Sequence, residues 1–456
     1  MKRLIVILLI ALLVPSVAAQ EGTLLAVAAG NEDFSTLVSL VEAAGLTETL
    51  NGEGPFTVFA PTNAAFEALP PRVVAYLGSA AGAETLTRIL TYHVLPAQVM
   101  AADVTAALEA NAGRFTAATV EGSELTLAAN GEVVMVDQAQ LVLTSLDIPA
   151  SNGVIHVIDA VLVPPLELPV IFAAEVEGEI VTAGSSTVGP LSARIVDEFL
   201  LEGFAGEVTT DVIGTGAGFD RFCESGQTDI ANASRPITDD EIAACAALDP
   251  ARVPLEFRVG TDALAVVVNP QNNWATDMTL EELAQAFTTA ETWADINPSW
   301  PERDIVRYSP DPLSGTFDYF VEEVLDEDAD ALLTASNLLM SPNDLVLEEG
   351  VEEDQFAIGY FGYAYYAENA EALRLLTIEG VEANAANVDN GTYPLARPLF
   401  IYSDAGIIAE KPQVGEFIKY YLSNVDRVIE EVGYFPANPF ALNLARLSVL
   451  AAAADF

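Results

Sequence analysis

Apolar residues recur along the chain at two spacings, one typical of amphipathic helices and one typical of buried strands. Residues 34–46 and 84–92 have apolar side chains three and four positions apart, which predicts helices. From about residue 115 onwards, short β-branched runs take over, and a turn at Asn152 and Gly153 leads into a closing strand. Because helices largely precede strands, the pattern predicts an α+β domain over residues 20–165.

Beyond residue 165 the predicted strands alternate with helices, which is typical of an α/β fold. Three strands end in turns rich in glycine and hydroxyl residues, at 184–190, 214–219 and 312–316, and a helix follows each turn. The first N–H groups of a helix lack internal partners and lie at the positive end of its dipole, so these turns suit an anion. For any one of them, an ordinary capped strand-to-helix turn is the alternative.

The glycine-rich turn at 214–219 does not match the dinucleotide fingerprint. Glycines stand at 214 and 216, but Phe219 occupies the position where the third glycine would be due. The turn is therefore interpreted as a cradle for a small anion, and no nucleotide cofactor is expected.

Two charged residues lie next to apolar strands in the second half. Arg235 follows Ser234 at a strand end and precedes a proline, where a guanidinium suits bidentate contact with an oxyanion; a surface ion pair is the alternative. Asp262 lies in an apolar stretch, 255–269, that is interpreted as a strand pair around residues 260–262. It is either a turn residue or an acceptor in a cleft. An acceptor there would favour hydrogen phosphate over sulfate, because only hydrogen phosphate has a proton to donate.

The net charge of the chain limits the classes of partner that it can bind. The 456 residues suffice for about three domains of ordinary size. They include 67 acidic and 18 basic residues, for a net charge of −49. A surface this acidic repels nucleic acid and anionic lipid, so we expect no nucleic-acid partner. Any anion site must depend on backbone dipoles and one or two arginines.

Residues 1–19 have the pattern of an export signal. Lys2 and Arg3 precede an apolar run at 4–14, and small residues precede an expected cut ahead of Gln20. The run is too short to span a bilayer. We therefore expect an exported protein, periplasmic or at the cell surface, that is soluble after cleavage.

The two cysteines, Cys223 and Cys245, are expected to form a disulfide in the oxidising compartment that export implies; two buried free thiols are the alternative. With two cysteines, and with the two histidines far from them, no set of residues has the spacing of a zinc site. We expect no metal, and a catalytic triad is poorly supported.

Three motifs in the first domain resemble the fasciclin-like domain. They are FTVFAPTNAAF at 56–66, YHVLP at 92–96 and SNGVIHVIDAVLVPP at 151–165. The resemblance implies adhesion to a matrix or cell-surface partner rather than catalysis, with Tyr92 and His93 as candidate adhesion residues. The alternative for this pair is an internal hydrogen-bonding role. His156, in an apolar strand, is predicted to be a satisfied core histidine.

Motifs of the second half resemble the phosphate-binding protein of the phosphate ABC importer, a periplasmic-binding-protein type 2 family. They include GSSTV at 184–188, GTGAGF at 214–219, DIANASRPI at 229–237, VGTDALAVVVNP at 259–270 and SGTFDYF at 314–320. The resemblance implies two α/β lobes that are joined by a hinge and close over one phosphate ion.

The resemblance also implies the candidate phosphate-binding residues. Well-known members have an Asp where this chain has Arg235, and an Arg shortly before the serine-glycine-threonine loop, where this chain has none. We therefore expect relocated charges, with Arg235 as cation and Asp262 as proton acceptor; Arg397 is an alternative cation. The candidates are Ser186, Thr187, Val188, Thr215, Gly216, Ser234, Arg235, Asp262, Ser314, Gly315 and Thr316.

The predicted organisation has four parts. They are a signal peptide at 1–19, a fasciclin-like domain at 20–165, a proline-rich linker at 166–176 and a two-lobed phosphate-binding-protein-like domain at 177–456. The predicted function is capture of hydrogen phosphate for the membrane permease of an ABC importer, without catalysis. The alternatives are a cell-surface adhesion protein in which binding is secondary, and a binder of another oxyanion such as sulfate or molybdate. A phosphatase is disfavoured, because no activated nucleophile is visible.

Overall fold

The computed structural model describes residues 22–131, 133–312 and 314–454, so the predicted export segment at 1–19 lies outside the described residues. Within the described part, the chain forms two compact units whose boundary in sequence lies between Pro164 and Pro165. Each unit has hydrophobic cores of its own. No helix in the described ranges is long and apolar enough to cross a membrane.

The strands of the first unit form two sheets. In chain order they are β1 (Phe56–Pro61), β2 (Val94–Leu95), β3 (Arg114–Ala118), β4 (Glu124–Asn130), β5 (Val133–Val136), β6 (Ala139–Gln140), β7 (Ile148–Ala150) and β8 (Gly153–Ile158). The first sheet has the order β2-β1-β8-β7, with β1 parallel to β8. The second sheet is antiparallel, in the order β3-β4-β5-β6.

Helices of the first unit lie mainly before the second sheet in sequence, which confirms the α+β prediction. They are α1 (Leu24–Ala29), α2 (Ser35–Ala43), α3 (Thr47–Leu50), α4 (Asn63–Glu67), α5 (Pro71–Leu77), α6 (Ala83–Tyr92) and α7 (Ala101–Ala110). His156 is buried in β8, with Nε2 2.8 Å from the carbonyl oxygen of Val99, and its Nδ1 accepts from the N–H of Asp147 at 3.3 Å. It is a satisfied core histidine, as predicted.

One large mixed sheet runs through the second unit. The strands of this unit are β9 (Glu179–Gly184), β10 (Glu207–Val212), β11 (Ile230–Ala233), β12 (Pro254–Val268), β13 (Asp277–Met278), β14 (Val306–Pro310), β15 (Leu338–Ser341), β16 (Ala357–Gly362), β17 (Arg374–Leu375), β18 (Thr377–Ile378), β19 (Ala396–Asp404) and β20 (Phe435–Pro436). The main order is β10-β9-β11-β19-β12-β16-β14-β15; β17 and β20 also pair with β12, and β13 pairs with β18.

The helices of the second unit alternate with these strands, as an α/β fold requires. They are α8 (Val188–Leu201), α9 (Thr215–Phe219), α10 (Asp239–Ala246), α11 (Leu280–Phe287), α12 (Trp293–Ile296), α13 (Gly315–Val324), α14 (Ala329–Leu333), α15 (Asp344–Glu353), α16 (Tyr363–Glu368), α17 (Ala385–Asp389), α18 (Ala405–Glu410), α19 (Pro412–Val428) and α20 (Pro439–Ala453). The three predicted strand-turn-helix units are β9 to α8, β10 to α9 and β14 to α13.

Two separate hydrophobic cores divide the second unit into two lobes. In β12, Phe257 and Val259 belong to the core of the first lobe, whereas Leu264 and Val266 belong to the core of the second. Strand β19 also passes between the lobes, because Leu399 packs in the first core and Ala396 against the second. These two adjacent strands form the connection that the two-lobed prediction calls a hinge.

The predicted strand pair around residues 260–262 is wrong, because β12 continues through these residues as one strand of 15 residues. Its pairing with β19 shifts register between Arg258 and Gly260 but does not break. Gly260 is needed for close packing rather than for a turn: a Cβ atom there would lie 2.1 Å from Ile429 Cδ1 and 2.9 Å from the carbonyl oxygen of Phe435. Asp262 is therefore a strand residue.

The start of the predicted linker packs on the second unit. Leu166 is buried, and its N–H donates to Asn443 Oδ1 at 3.0 Å. Ala173, further along the same segment, is part of the core of the first lobe. Within this unit the predicted disulfide is present: Cys223, in a π-helical turn that continues α9, is bonded to Cys245 at the end of α10.

Candidate anion-binding site

Asp262 and Arg397 occupy the same rung of the β12–β19 pair, at the point where both strands pass between the lobes. Arg397 Nε donates to Asp262 Oδ2 at 3.3 Å. Both side chains are buried, with exposed fractions of 1% for Asp262 and 8% for Arg397. A buried charge is costly unless it is paired. Asp262 and Arg397 therefore each offset the cost of burying the charge of the other.

The second carboxylate oxygen of Asp262, Oδ1, differs from Oδ2 in its hydrogen bonding. Oδ1 is buried and has no hydrogen-bond partner of ordinary geometry among the described residues, although the adjacent N–H of Ala263 lowers the pKa of the carboxyl. Burial is the larger influence: it raises the pKa of Asp262, against the opposing effect of the Arg397 charge. An unsatisfied buried acceptor is expensive, and a ligand that donates a hydrogen bond would remove this cost.

Arg397 also connects two of the predicted anion-binding turns. Its Nη2 donates to Thr187 Oγ1, in the turn before α8, and to the carbonyl oxygen of Gly315 at 3.1 Å, at the first residue of α13. A Cβ atom on Gly315 would lie 3.2 Å from the backbone of Ser186 and Thr187, so the two turns are in close contact. Ser186 Oγ lies 3.4 Å from Asp318 Oδ2 on α13, a contact across the cleft between the lobes.

Some N–H groups of these turns are already used by neighbouring side chains. Ser185 Oγ accepts from the N–H groups of Thr187 and Val188, at 3.2 and 3.4 Å. Ser314 Oγ accepts from the N–H of Thr316 at 3.2 Å. These caps hold the two turns in shape without a ligand, and an anion would have to share or displace them.

The second predicted turn joins the end of β11. Gly214 adopts a φ of +86°, which glycine tolerates best, and α9 begins at the next residue. Thr215 Oγ1 lies 3.1 Å from Ser234 Oγ and accepts from the N–H of Ser234 at 3.2 Å. The structure thus brings together Thr215 and Ser234, two of the candidate phosphate-binding residues.

Arg235 lies in a different environment from Arg397. Its guanidinium forms a two-pronged pair with Glu241, with distances of 2.9 and 2.8 Å, and its side chain is 40% exposed. The hydrogen bond to Glu241 raises the pKa of Arg235. Arg235 therefore forms an ion pair with an acidic residue, which is the alternative to contact with an oxyanion, while Arg397, the alternative cation, lies at the buried carboxylate.

Residues 32–164 match the Fasciclin domain, and residues 173–425, more than half of the chain, match the PBP superfamily domain. The chain belongs to the PBP superfamily. Residues 32–164 are its fasciclin domain.

Individual relatives match the PBP domain. Protein SphX of Synechocystis sp. is 37% identical over 275 residues, which cover 58% of this chain and 80% of the relative. The phosphate-binding protein PstS of Staphylococcus saprophyticus is 34% identical over 266 residues, 57% of this chain and 80% of the relative. The solved structure of a possible phosphate binding protein from Planctomyces limnophilus is 37% identical, with a TM-score of 0.57, and covers 61% of this chain and 99% of that one.

Three residues of the PBP-domain site were not predicted from the sequence. The ring of Tyr319 lies under the Arg397 guanidinium, 3.8 Å from Cζ to the ring centre, and Glu322 Oε2 lies 3.8 Å from Arg397 Nη1. Tyr434 OH donates to the carbonyl oxygen of Thr187 at 2.9 Å. Tyr319 and Glu322 lie just beyond the predicted third turn at helical spacing from Gly315, which is a signal that could have found them.

Both candidate adhesion residues of the fasciclin domain are buried. Tyr92 OH lies 2.8 Å from Asp137 Oδ2. His93 Nδ1 lies 2.7 Å from the carbonyl oxygen of Ile89, and its Nε2 accepts from the N–H of Leu162 at 2.9 Å. These partners make Nδ1 the protonated nitrogen of a neutral ring. The structure agrees with the internal hydrogen-bonding alternative and gives neither side chain a surface for a partner.

Proposed function

We propose that the PBP domain captures hydrogen phosphate between its lobes. The observation that carries the proposal is the buried Asp262 Oδ1, an acceptor without an ordinary partner beside the cation of Arg397. Hydrogen phosphate offers an O–H to this oxygen and negative charge to the guanidinium. Sulfate near neutral pH offers no proton, and it would face a buried carboxylate oxygen with nothing to donate.

The ligand would lie where the three turns converge on the β12–β19 connection. Thr187 and Gly315 already contact Arg397, and Thr215 with Ser234 would supply hydroxyl groups from the first lobe. Arg235 remains a proposed second cation, provided that it shares its guanidinium with Glu241. No covalent step is proposed, and the domain binds and releases its ligand unchanged.

The names of the relatives support the choice of phosphate as the ligand. PstS and the Planctomyces protein are both named as phosphate-binding or possible phosphate-binding proteins. We propose that this chain presents phosphate to the permease of an ABC importer, after export directed by residues 1–19. The fasciclin domain is proposed to add adhesion at the cell surface, through its exposed surface rather than through Tyr92 and His93.

Calorimetric titration of the full chain tests the binding proposal. The protein is freed of ligand by unfolding and refolding, then titrated with phosphate and with sulfate. Saturable phosphate binding that sulfate does not displace is expected. Asp262→Asn and Arg397→Gln should each weaken phosphate binding by about a hundredfold, which is the order expected when one member of a buried, charge-assisted contact is lost.

Matched controls distinguish a site effect from a general effect of charge. Asp330→Asn and Arg303→Gln remove the same charges from exposed positions of the PBP domain, and we expect their affinities to stay within about twofold of the parent. Absence of phosphate binding in the refolded parent would overturn the proposal and favour the adhesion alternative. Equal affinity for sulfate and phosphate would instead indicate a site that binds oxyanions in general.

A further inference from the structure

The disulfide lies in a small apolar core on one face of the sheet of the first lobe. On β19, Phe400 and Tyr402 belong to this small core. The residues that precede each of them, Leu399 and Ile401, belong to the main core of the lobe. Alternate residues of a strand face opposite sides of a sheet, so the sheet separates the two cores. The small core, called here the disulfide core, consists of Phe219, Phe222, Cys223, Ala231, Ala233, Cys245, Phe400 and Tyr402.

Helix α10 depends on the disulfide for its attachment to the domain. Of the eight residues of α10, all within the described ranges, only Cys245 is buried. Ile242, the largest apolar residue of the helix, is 42% exposed. Burial of an apolar face is what stabilises most helices of folded proteins, and α10 buries almost none. The covalent bond to Cys223 therefore provides much of the attachment of this helix.

The same helix carries the partner of Arg235. Glu241 lies four positions before Cys245, on the same side of α10, and pairs with the guanidinium of Arg235 at 2.9 and 2.8 Å. The guanidinium also lies over the ring of Phe219, 5.5 Å from Cζ to the ring centre. Phe219 is a residue of the disulfide core at the end of α9. Both contacts of Arg235 thus come from elements that the disulfide joins.

The second predicted turn is connected to the disulfide core as well. Cys223 lies in the π-helical turn that continues α9, and α9 begins at Thr215. Thr215 contacts Ser234, the residue directly before Arg235. The disulfide therefore ties the element that begins with one candidate phosphate-binding residue to the element that holds another.

We propose that Cys223 and Cys245 are positioning residues of the anion site, whose disulfide holds Glu241 and thereby the guanidinium of Arg235 in place. The inference rests on the proposed function, in which Arg235 is a second cation. A side chain that is already fixed loses less conformational freedom when a ligand binds, so preorganisation raises affinity. Without the disulfide, phosphate must order α10 and Arg235 as it binds.

The experiment is phosphate titration of the full chain with and without the disulfide. Cys223→Ala combined with Cys245→Ala should bind phosphate about tenfold more weakly than the parent, the order expected when one or two long side chains must be ordered on binding. Reductant added to the parent gives a second measurement that needs no substitution, because the two cysteines of the chain form this one bond. Circular dichroism verifies that each protein remains folded, and thiol counting verifies reduction.

A destabilised control variant separates positioning from a general loss of stability. Ile418→Ala removes a buried side chain from the main core of the first lobe, so it lowers stability without changing the disulfide core. Its affinity for phosphate should stay within about twofold of the parent. A loss in Ile418→Ala as large as that in the disulfide variant would overturn the inference.

Arg235→Gln tests whether the disulfide acts through Arg235. This substitution should itself weaken phosphate binding, and removal of the disulfide from the Arg235→Gln protein should change the affinity by less than about twofold further. If removal of the disulfide costs the same with and without Arg235, or leaves the affinity of the parent unchanged or higher, the inference is overturned while the proposed function stands. If the oxidised parent binds no phosphate, both are overturned.

Discussion

Asp262 and Arg397 are cross-strand neighbours on β12 and β19, 135 positions apart in sequence, and their ion pair lies within the connection between the lobes. The candidate cation is therefore held by the same two strands that both lobes share. A turn from each lobe reaches it, at Thr187 from the first lobe and at Gly315 from the second. The proposed anion site therefore includes contacts from both lobes to one side chain.

The Asp262–Arg397 pair should show strong energetic coupling. Each of the single substitutions Asp262→Asn and Arg397→Gln leaves one buried charge uncompensated. Each should therefore lower the unfolding free energy by about 3 kcal/mol. The double substitution should cost clearly less than the sum, with a coupling of about 2 kcal/mol. Urea unfolding followed by tryptophan emission measures this, because all three tryptophans lie in the second unit. Additive losses would contradict a direct buried pair.

Gly315 should be required for ligand binding rather than for folding. Gly315→Ala keeps the backbone N–H but places a Cβ atom 3.2 Å from the first turn, tighter than ordinary van der Waals contact, so the two turns must separate. We expect phosphate affinity to fall by at least about tenfold, with an unfolding free energy within about 1 kcal/mol of the parent.

Gly216→Ala is the matched control for this prediction. Gly216 also lies in a predicted phosphate-binding turn, but a Cβ atom there meets nothing within 4 Å. Its affinity for phosphate, measured in the same titration, should stay within about threefold of the parent. Equal losses in both variants would show that the close approach at Gly315 is not what matters.

The disulfide should stabilise the second unit by restricting its unfolded state. Cys223 and Cys245 enclose a loop of 22 positions, for which the chain-entropy estimate is about 3 kcal/mol. Reduction of the parent protein should therefore lower the urea midpoint of tryptophan emission. Cys223→Ala combined with Cys245→Ala should lower it similarly and make it insensitive to reductant. A midpoint that is unchanged in reduced protein would contradict this prediction.

His93 should make the fasciclin domain less stable in acid. Burial lowers the pKa of His93 to about 4, from an ordinary value of about 6.5. Below about pH 6.5 the unfolded chain takes up a proton that the folded domain refuses until about pH 4, so folding stability falls across this interval, by about 3 kcal/mol in total. If the folding stability instead rose as the pH fell, the pKa of His93 would have to be raised in the folded domain.

Hydrogen exchange of the full chain, analysed for amides in residues 22–164, measures this effect. The parent should lose protection between about pH 6.5 and about pH 4 more steeply than His93→Gln, which has no proton to gain. Amides of the second unit serve as the internal control, since both histidines lie in the first. Parallel pH dependences in the two proteins would contradict the assignment.

Local features of the sequence determined much of this protein. Helical and strand spacings, together with the glycine and hydroxyl turns, predict the α+β first domain, the α/β second half and the three strand-turn-helix units, because neighbouring residues decide them. Cysteine pairing was also predictable, since there are only two cysteines. The motifs pointed to Asp262 and to the turn residues around Thr187, Thr215 and Gly315.

Tertiary structure alone decided which charges meet. Arg235 follows an apolar strand and Arg397 lies within one. The residues next to each arginine in sequence do not indicate which of the two pairs with Asp262. The choice depends on the register of β12 against β19, which is set by packing between residues 135 positions apart. The same long-range pairing carries β12 straight through Gly260, where composition alone favours a turn, because Ile429 and Phe435 leave no room for a side chain. Tyr319 and Glu322 likewise come close to Arg397 only through the placement of α13.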